Sequence, residues 1–147
     1  VDIDNIIGAY ARNNSIRFTR YADDITISGD FDIGITLKFL YSVFNKYGFQ
    51  INSNKTRVAR GNARQEVTGI VVNKYLQVSK EKRKEIRQIV YYIEKFGLDS
   101  HLDKIRETRP NYIDHLIGIV NHILFVNPKD MEMKKYHKFL VSIKNQL

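Results

Sequence analysis

Apolar residues at positions 3, 6, 7 and 10 keep the three-and-four spacing of one helical face, so a helix is expected over Asp2 to Arg12. Two short strand-like runs follow, Arg17 to Tyr21 and Ile25-Thr26-Ile27, with two acidic residues at the bend between them. Helical spacing returns over Ile33 to Tyr47, where Ile35, Leu37, Phe39, Leu40, Val43 and Phe44 form an apolar stripe and Gly48 supplies the stop. Gln50 to Ile51 and Arg57 to Ala59 read as short strands around an Asn/Lys turn, and Glu66 to Asn73 with Tyr75 to Val78 as a second hairpin turned near Asn73-Lys74. From Ser79, a good N-cap, the pattern is helical throughout. Lys80 to Phe96 carries Ile86, Ile89, Val90, Ile93 and Phe96 on one face and stops at Gly97. A short helix is expected over Asp99 to Glu107, one opened by Pro110 through Phe125, and one capped and opened by Asn127 and Pro128 that runs toward Gln146. The fold class is therefore α+β. Residues 1–78 mix antiparallel hairpins with helices, residues 79–147 form an all-helical bundle, and the boundary falls near Val78–Ser79.

Composition narrows the possibilities. An apolar fraction of 43% in 147 residues supports a real core of one domain or two small ones. The absence of cysteine excludes a disulfide framework and cysteine-based metal sites. No apolar run has the length of a membrane span, and a cytoplasmic location is the expectation. A net charge of +8 and a pI near 9.6 are the electrostatic footprint of a polyanion binder.

Against that basic background, Tyr21-Ala22-Asp23-Asp24 concentrates negative charge at one bend. Asp suits turn positions, and a solvated turn uses the same dipeptide. Two adjacent carboxylates with no cation between them also make an oxygen-rich site that favours magnesium, or manganese. Two such ions roughly 4 Å apart activate a 3′-hydroxyl and stabilise departing pyrophosphate.

Phe18-Thr19-Arg20-Tyr21-Ala22-Asp23-Asp24-Ile25-Thr26-Ile27-Ser28-Gly29 resembles the polymerase active-site hairpin, motif C, of bacterial reverse transcriptases, especially the retron type. Gly48-Phe49-Gln50-Ile51-Asn52 followed by Lys55-Thr56-Arg57 is similar to motif D. Glu66 to Asn73 resembles the next hairpin of the family, and its Val67-Thr68-Gly69 triplet resembles a retron signature. Leu116-Ile117-Gly118 and Phe125-Val126-Asn127-Pro128 resemble the helical thumb. Four blocks in the family's order are more specific than any one alone.

The resemblance implies a partial polymerase palm in residues 1–78 and a helical thumb in residues 79–147, the C-terminal part of an RNA-directed DNA polymerase. It implies that Asp23, and with it Asp24, are catalytic metal ligands for Mg2+ (or Mn2+), the first more directly. Its partners would be an RNA template, an RNA/DNA hybrid and deoxynucleoside triphosphates. The family's third aspartate, in motif A, its Gln-Gly motif B and its fingers belong to an upstream portion with no counterpart here. Asp2 and Asp4 lie too close to Asp23 in sequence to replace that aspartate. Alone, the chain is expected to be inactive. Two other readings are an RNA-binding module and a degenerate reverse transcriptase domain used in phage defence.

Further candidates follow. Tyr21 and Ala22 flank the site, and the small Ala22 leaves room for a nucleotide or primer end. Lys55 is a candidate phosphate-contacting cation or general acid, although its loop composition alone would place it in an ordinary turn. Val67, Thr68 and Gly69 are candidates for primer contact, since a glycine permits close backbone approach and a threonine hydroxyl bonds phosphate. Lys80, Lys84 and Arg87 share one face at four- and three-residue spacing and are candidates for phosphate contact, with a plain solvated face as the alternative. His101, His115, His122 and His137 show no metal-binding pattern, and Tyr91, Tyr92 and Phe96 are expected in the core rather than as a stacking platform.

Overall fold

The computed structural model describes residues 2–147, which form six helices and two small antiparallel sheets, an α+β fold. They divide into two compact units, one ending at Arg60 and the other running from Gly61 to Leu147. No helix among the described residues is long and apolar enough to cross a membrane.

The first unit opens with α1 (Asp2–Asn13), which has Asp2 and Asp4 in its first turn and Arg12 in its last, each opposing the helix dipole. Its inner face buries Ile3, Ile7 and Ala11. Strands β1 (Arg17–Tyr21) and β2 (Asp24–Ser28) pair antiparallel, from Arg17 opposite Ser28 to Tyr21 opposite Asp24. At the hairpin's exit, a Cβ on Gly29 would stand 2.9 Å from the Ile16 side chain, and its φ of +140° is one only glycine adopts freely. Helix α2 (Ile33–Lys46) is capped by Asp32, whose Oδ1 accepts from the Ile35 N–H at 2.9 Å. Tyr10 of α1 stacks on Phe39 of α2, with centroids 3.9 Å apart, and shares a hydrogen bond with Thr36. Ile3, Ile7, Leu40 and Val43 form the core, with Phe18, Ile25 and Ile27 of the hairpin packed against it. The hairpin is thus anchored by its apolar face while its tip projects outward. Ile35, expected in the stripe, is 63% exposed, because the inward phase of α2 runs through Thr36, Leu40 and Val43.

The short strands expected at Gln50–Ile51 and Arg57–Ala59 are absent. The Asn/Lys turn expected between them does form: the Asn52 side-chain oxygen accepts from the N–H groups of Asn54 and Lys55, and its carbonyl from Lys55 and Thr56.

The second unit holds a three-stranded sheet, β3 (Glu66–Val67), β4 (Ile70–Val71) and β5 (Gln77–Val78), in that order and antiparallel. The run from Glu66 to Asn73 is therefore not one strand; it folds on itself at Thr68-Gly69. Both residues have positive φ, +46° and +82°, the signs of a type I′ two-residue turn. β4 and β5 form the hairpin expected to turn near Asn73-Lys74, and Asn73 in that connection is also a clamp: its side chain accepts from Gln65 N–H and donates to the Ala63 carbonyl.

Helix α3 (Lys80–Phe96) begins at Ser79, whose hydroxyl accepts from Lys82 N–H, and ends at Gly97 with φ +85°, both as expected. Helices α4 (Leu98–Ile105), α5 (Tyr112–Val126) and α6 (Met131–Lys144) complete the unit. The last helix is capped by Asp130, not by Asn127 and Pro128. Asn127 instead closes the preceding turn, its side chain accepting from Lys129 N–H. Ile86, Val90, Leu116, Val120, Ile123, Met133 and Leu140 form the centre of the core, and Val78 of β5 is buried with them. That contact attaches the sheet to the helices, so the compact units part at Arg60–Gly61, earlier than the compositional step at Val78–Ser79. Tyr91 and Phe96, expected in the core, are more than half exposed, and only Tyr92 of that trio is half-buried.

Candidate functional site

The β1–β2 tip is a two-residue turn in which Ala22 and Asp23 are the central residues. Ala22 has φ +52° and Asp23 a negative φ, the signs of a type II′ turn, whose first position is normally glycine. An L-residue held there costs about 1 kcal/mol or more. Asp24 begins β2 opposite Tyr21, and Asp23 sits in the turn itself. Tyr21 is 74% exposed, and Ala22, Asp23 and Asp24 are exposed beside it. Neither aspartate has a cationic side chain within ion-pair distance among the described residues.

One residue that periodicity could not single out links the hairpin to α1. Arg20 Nη2 lies 2.7 Å from Asp4 Oδ2, and Nη1 reaches toward the Ala22 carbonyl at 3.5 Å. Asp4 is thereby committed to Arg20 and is no substitute for a third metal ligand. Among the described residues no group of three or more His, Cys, Asp and Glu side chains could hold a metal. Two exposed carboxylates are the hard oxygen donors that Mg2+ takes, with its remaining positions filled by water and substrate phosphates. The donor chemistry fits the ion, and the donor count is partial.

Lys55 projects from the turn built by Asn52, exposed and without an ion-pair partner among the described residues. In the second unit, Val67 is half-buried in β3, while Thr68 and Gly69 form the exposed apex of the I′ turn. The basic face of α3 divides. Lys80 and Lys84 are exposed and unpaired among the described residues. Arg87 meets Glu132 of α6 through Nε and Nη2 at 2.7 and 2.8 Å. That fork holds Glu132 below the usual carboxylate range, with burial opposing and the Tyr136 hydroxyl assisting. Beside it Arg83 binds the buried Asp130 at 2.8 Å.

His101 is buried, and its Nε2 lies 2.8 Å from the Tyr112 hydroxyl. Burial, and then the charge of Lys104, push its pKa down. Its place was readable in the sequence, because Leu98, His101 and Leu102 share one phase of α4.

Comparison with known proteins bears on this arrangement. The chain is 32% identical over 134 residues to the retron Mx65 reverse transcriptase of Myxococcus xanthus, covering 88% of this chain and 29% of that protein. It is 33% identical over 107 residues to the retron Ec86 reverse transcriptase of Escherichia coli, covering 71% of this chain and 33% of that protein. The retron Mx162 reverse transcriptase of Myxococcus xanthus matches at 35% over 83 residues, 48% of this chain and 17% of its own length. The chain belongs with the retron-type reverse transcriptases. What the first match leaves uncovered is shorter than either compact unit, so similarity reaches both the hairpin and the helices of this retron-type chain. The retron-type chain spans a third or less of the length of these relatives. No family model and no solved structure matches it.

Proposed function

We propose that this chain is the C-terminal part of an RNA-directed DNA polymerase, with the first unit contributing to the palm and the helices of the second forming the thumb. The observation that carries the reading is the Tyr21-Ala22-Asp23-Asp24 tip: two unpaired, exposed carboxylates on a strained turn within retron-type sequence. Strain retained at an exposed tip is a mark of functional positions. In this reading Asp23 and Asp24 hold Mg2+, or Mn2+, which when bound would supply Lewis acidity toward the primer hydroxyl and the triphosphate.

The chain's own residues do the positioning. Arg20, held by Asp4, links the hairpin to α1 beside the turn. Ala22 keeps the approach to the carboxylates free of side-chain bulk, and Tyr21 offers an exposed ring beside it. Lys55 is placed as a phosphate-contacting cation. Val67, Thr68 and Gly69 would present backbone and hydroxyl to the primer, and Lys80 and Lys84 would meet phosphates of the template–primer duplex. The substrates are an RNA template, an RNA/DNA hybrid and deoxynucleoside triphosphates. The remaining carboxylate and the fingers would come from an upstream polymerase portion, without which catalysis by positioned metals is lost.

Primer extension on a primed RNA template tests this. The pure chain is expected to give no magnesium-dependent product. The same chain joined to the upstream portion of a retron reverse transcriptase is expected to extend the primer, and Asp23→Asn to abolish extension. Extension by the pure chain, or retained activity in the Asp23→Asn fusion, would overturn the assignment.

A further inference from the structure

Charge is segregated along the first unit. Its six acidic residues, Asp2, Asp4, Asp23, Asp24, Asp30 and Asp32, all precede residue 33. From residue 33 to residue 65 there is no Asp or Glu, while Lys38, Lys46, Lys55, Arg57, Arg60 and Arg64 supply six positive charges. The five of these within the first unit are exposed, and none has a carboxylate within ion-pair distance among the described residues. In the second unit acidic residues are interspersed with the cations, and Arg64, Lys82, Arg83, Arg87, Arg109 and Lys144 have carboxylate partners, while others, Lys80 and Lys84 among them, have none among the described residues.

Aromatic rings interleave these free cations. Tyr41, Tyr47 and Phe49 are 37%, 37% and 59% exposed, and Lys46 Nζ stands 6.0 Å from the Tyr47 ring centroid. On α2, Lys38 and Tyr41 lie three residues apart and share the outward face with Ser42 and Lys46. At the helix end the chain doubles back through Gly48, φ +76°, and the Phe49 N–H bonds the Phe44 carbonyl at 2.9 Å. This fixes the backbone of Phe49 against the last helical turn and leaves its ring in solvent. The exposed ring has no part in the core formed by Leu40 and Val43.

We infer that the outer face of α2 and its exit, Lys38, Tyr41, Lys46, Tyr47 and Phe49, is a binding surface for single-stranded nucleic acid, separate from the acidic hairpin. Unpaired cations track a phosphate chain, and exposed rings stack on bases regardless of sequence. An acidic protein partner would satisfy the cations but leave the rings without planar faces to meet. The inference goes beyond the polymerase reading and does not depend on catalysis.

The test is fluorescence anisotropy of a labelled single-stranded oligouridylate with the whole chain, in EDTA and without nucleotides, at several salt concentrations. Lys38→Gln with Lys46→Gln is expected to flatten the slope of log K against log salt by about 1.4, at about 0.7 per phosphate contact on a single strand. The control pair, Lys134→Gln with Lys138→Gln on exposed positions of α6, removes the same charge and is expected to leave the slope nearly unchanged. Phe49→Ala, at a ring too exposed to support the fold, is expected to weaken binding about tenfold through lost stacking. Its affinity for polyglutamate, which cannot stack, should not change. Equal slope changes in the two lysine pairs, an unaffected Phe49→Ala variant, or displacement of the oligouridylate by polyglutamate at equal charge would each overturn the inference.

Discussion

Arg87 of α3 and Glu132 of α6 form a two-pronged ion pair, Nε to Oε1 at 2.7 Å and Nη2 to Oε2 at 2.8 Å. A fork of this geometry fixes orientation as well as charge. It joins two helices, and the expectation we draw from it is that Lys80 and Lys84, more than Arg87, meet phosphates. Replacing those two lysines by Ala should flatten the salt dependence of duplex RNA binding by at most about 1.8, at about 0.9 per phosphate. Arg87→Ala should leave the slope nearly unchanged and lower the melting temperature, because Glu132 loses both bonds and keeps Arg83 and Tyr136. A slope change for Arg87→Ala as large as that for the lysines would return it to the nucleic-acid interface.

Magnesium should bind the isolated chain only weakly. Asp23 and Asp24 are two donors on one tip, no third ligand side chain groups with them among the described residues, and Asp4 is held by Arg20 at 2.7 Å. Calorimetry is expected to give no tight stoichiometric binding. A tight site abolished by Asp23→Asn would mean that the chain completes its own cage.

Thr68→Asn should stabilise the second unit by about 0.5–1 kcal/mol, since a β-branched residue at φ +46° is strained and Asn is the favoured first residue of a type I′ turn. Urea unfolding measures it. A lower midpoint for the Asn variant would mean that the threonine hydroxyl contributes more than its backbone strain costs.

Much of this was legible in the chain. The hairpin around Asp23, the cap at Ser79 and the stops at Gly48 and Gly97 follow from local rules, because each depends on residues within a few positions. What failed was non-local or was contested by side chains. The runs at Gln50–Ile51 and Arg57–Ala59 pair with no strand, and local propensity does not say whether a partner strand is present. Thr68 bent a run whose apolar pattern reads as continuous strand, since nothing in that pattern announces a positive φ at a β-branched residue. Asp130 took the capping role from Asn127 because Arg83, distant in sequence, holds it in place. The same blindness hid the Arg87–Glu132 and Arg20–Asp4 pairs: helix spacing shows which residues share a face, not which carboxylate arrives from another element. At the candidate site, the aspartates were readable from type and order alone, but the strained Ala22 and the tether from Arg20 needed coordinates.

His101 makes stability depend on pH. Its ring is 4% exposed, bonded to the Tyr112 hydroxyl of α5, with the Tyr92 ring of α3 and the Lys104 ammonium of its own helix nearby. Burial first, and the Lys104 charge second, hold its folded pKa below the ordinary value. The unfolded chain therefore takes up the proton first as pH falls. The stability that neutral His101 supports is complete above about pH 6.5, the ordinary histidine value, and declines below it until the folded pKa is reached. Melting temperatures taken at about pH 7.5 and about pH 5.5, on either side of that value, should show a larger acid loss in the wild type than in His101→Gln, which keeps a hydrogen-bonding group but cannot ionise. Lys104→Gln should shrink the acid loss partway, because it removes the second cause and leaves the first. An identical acid loss in the wild type and His101→Gln would leave His101 as a packing residue only.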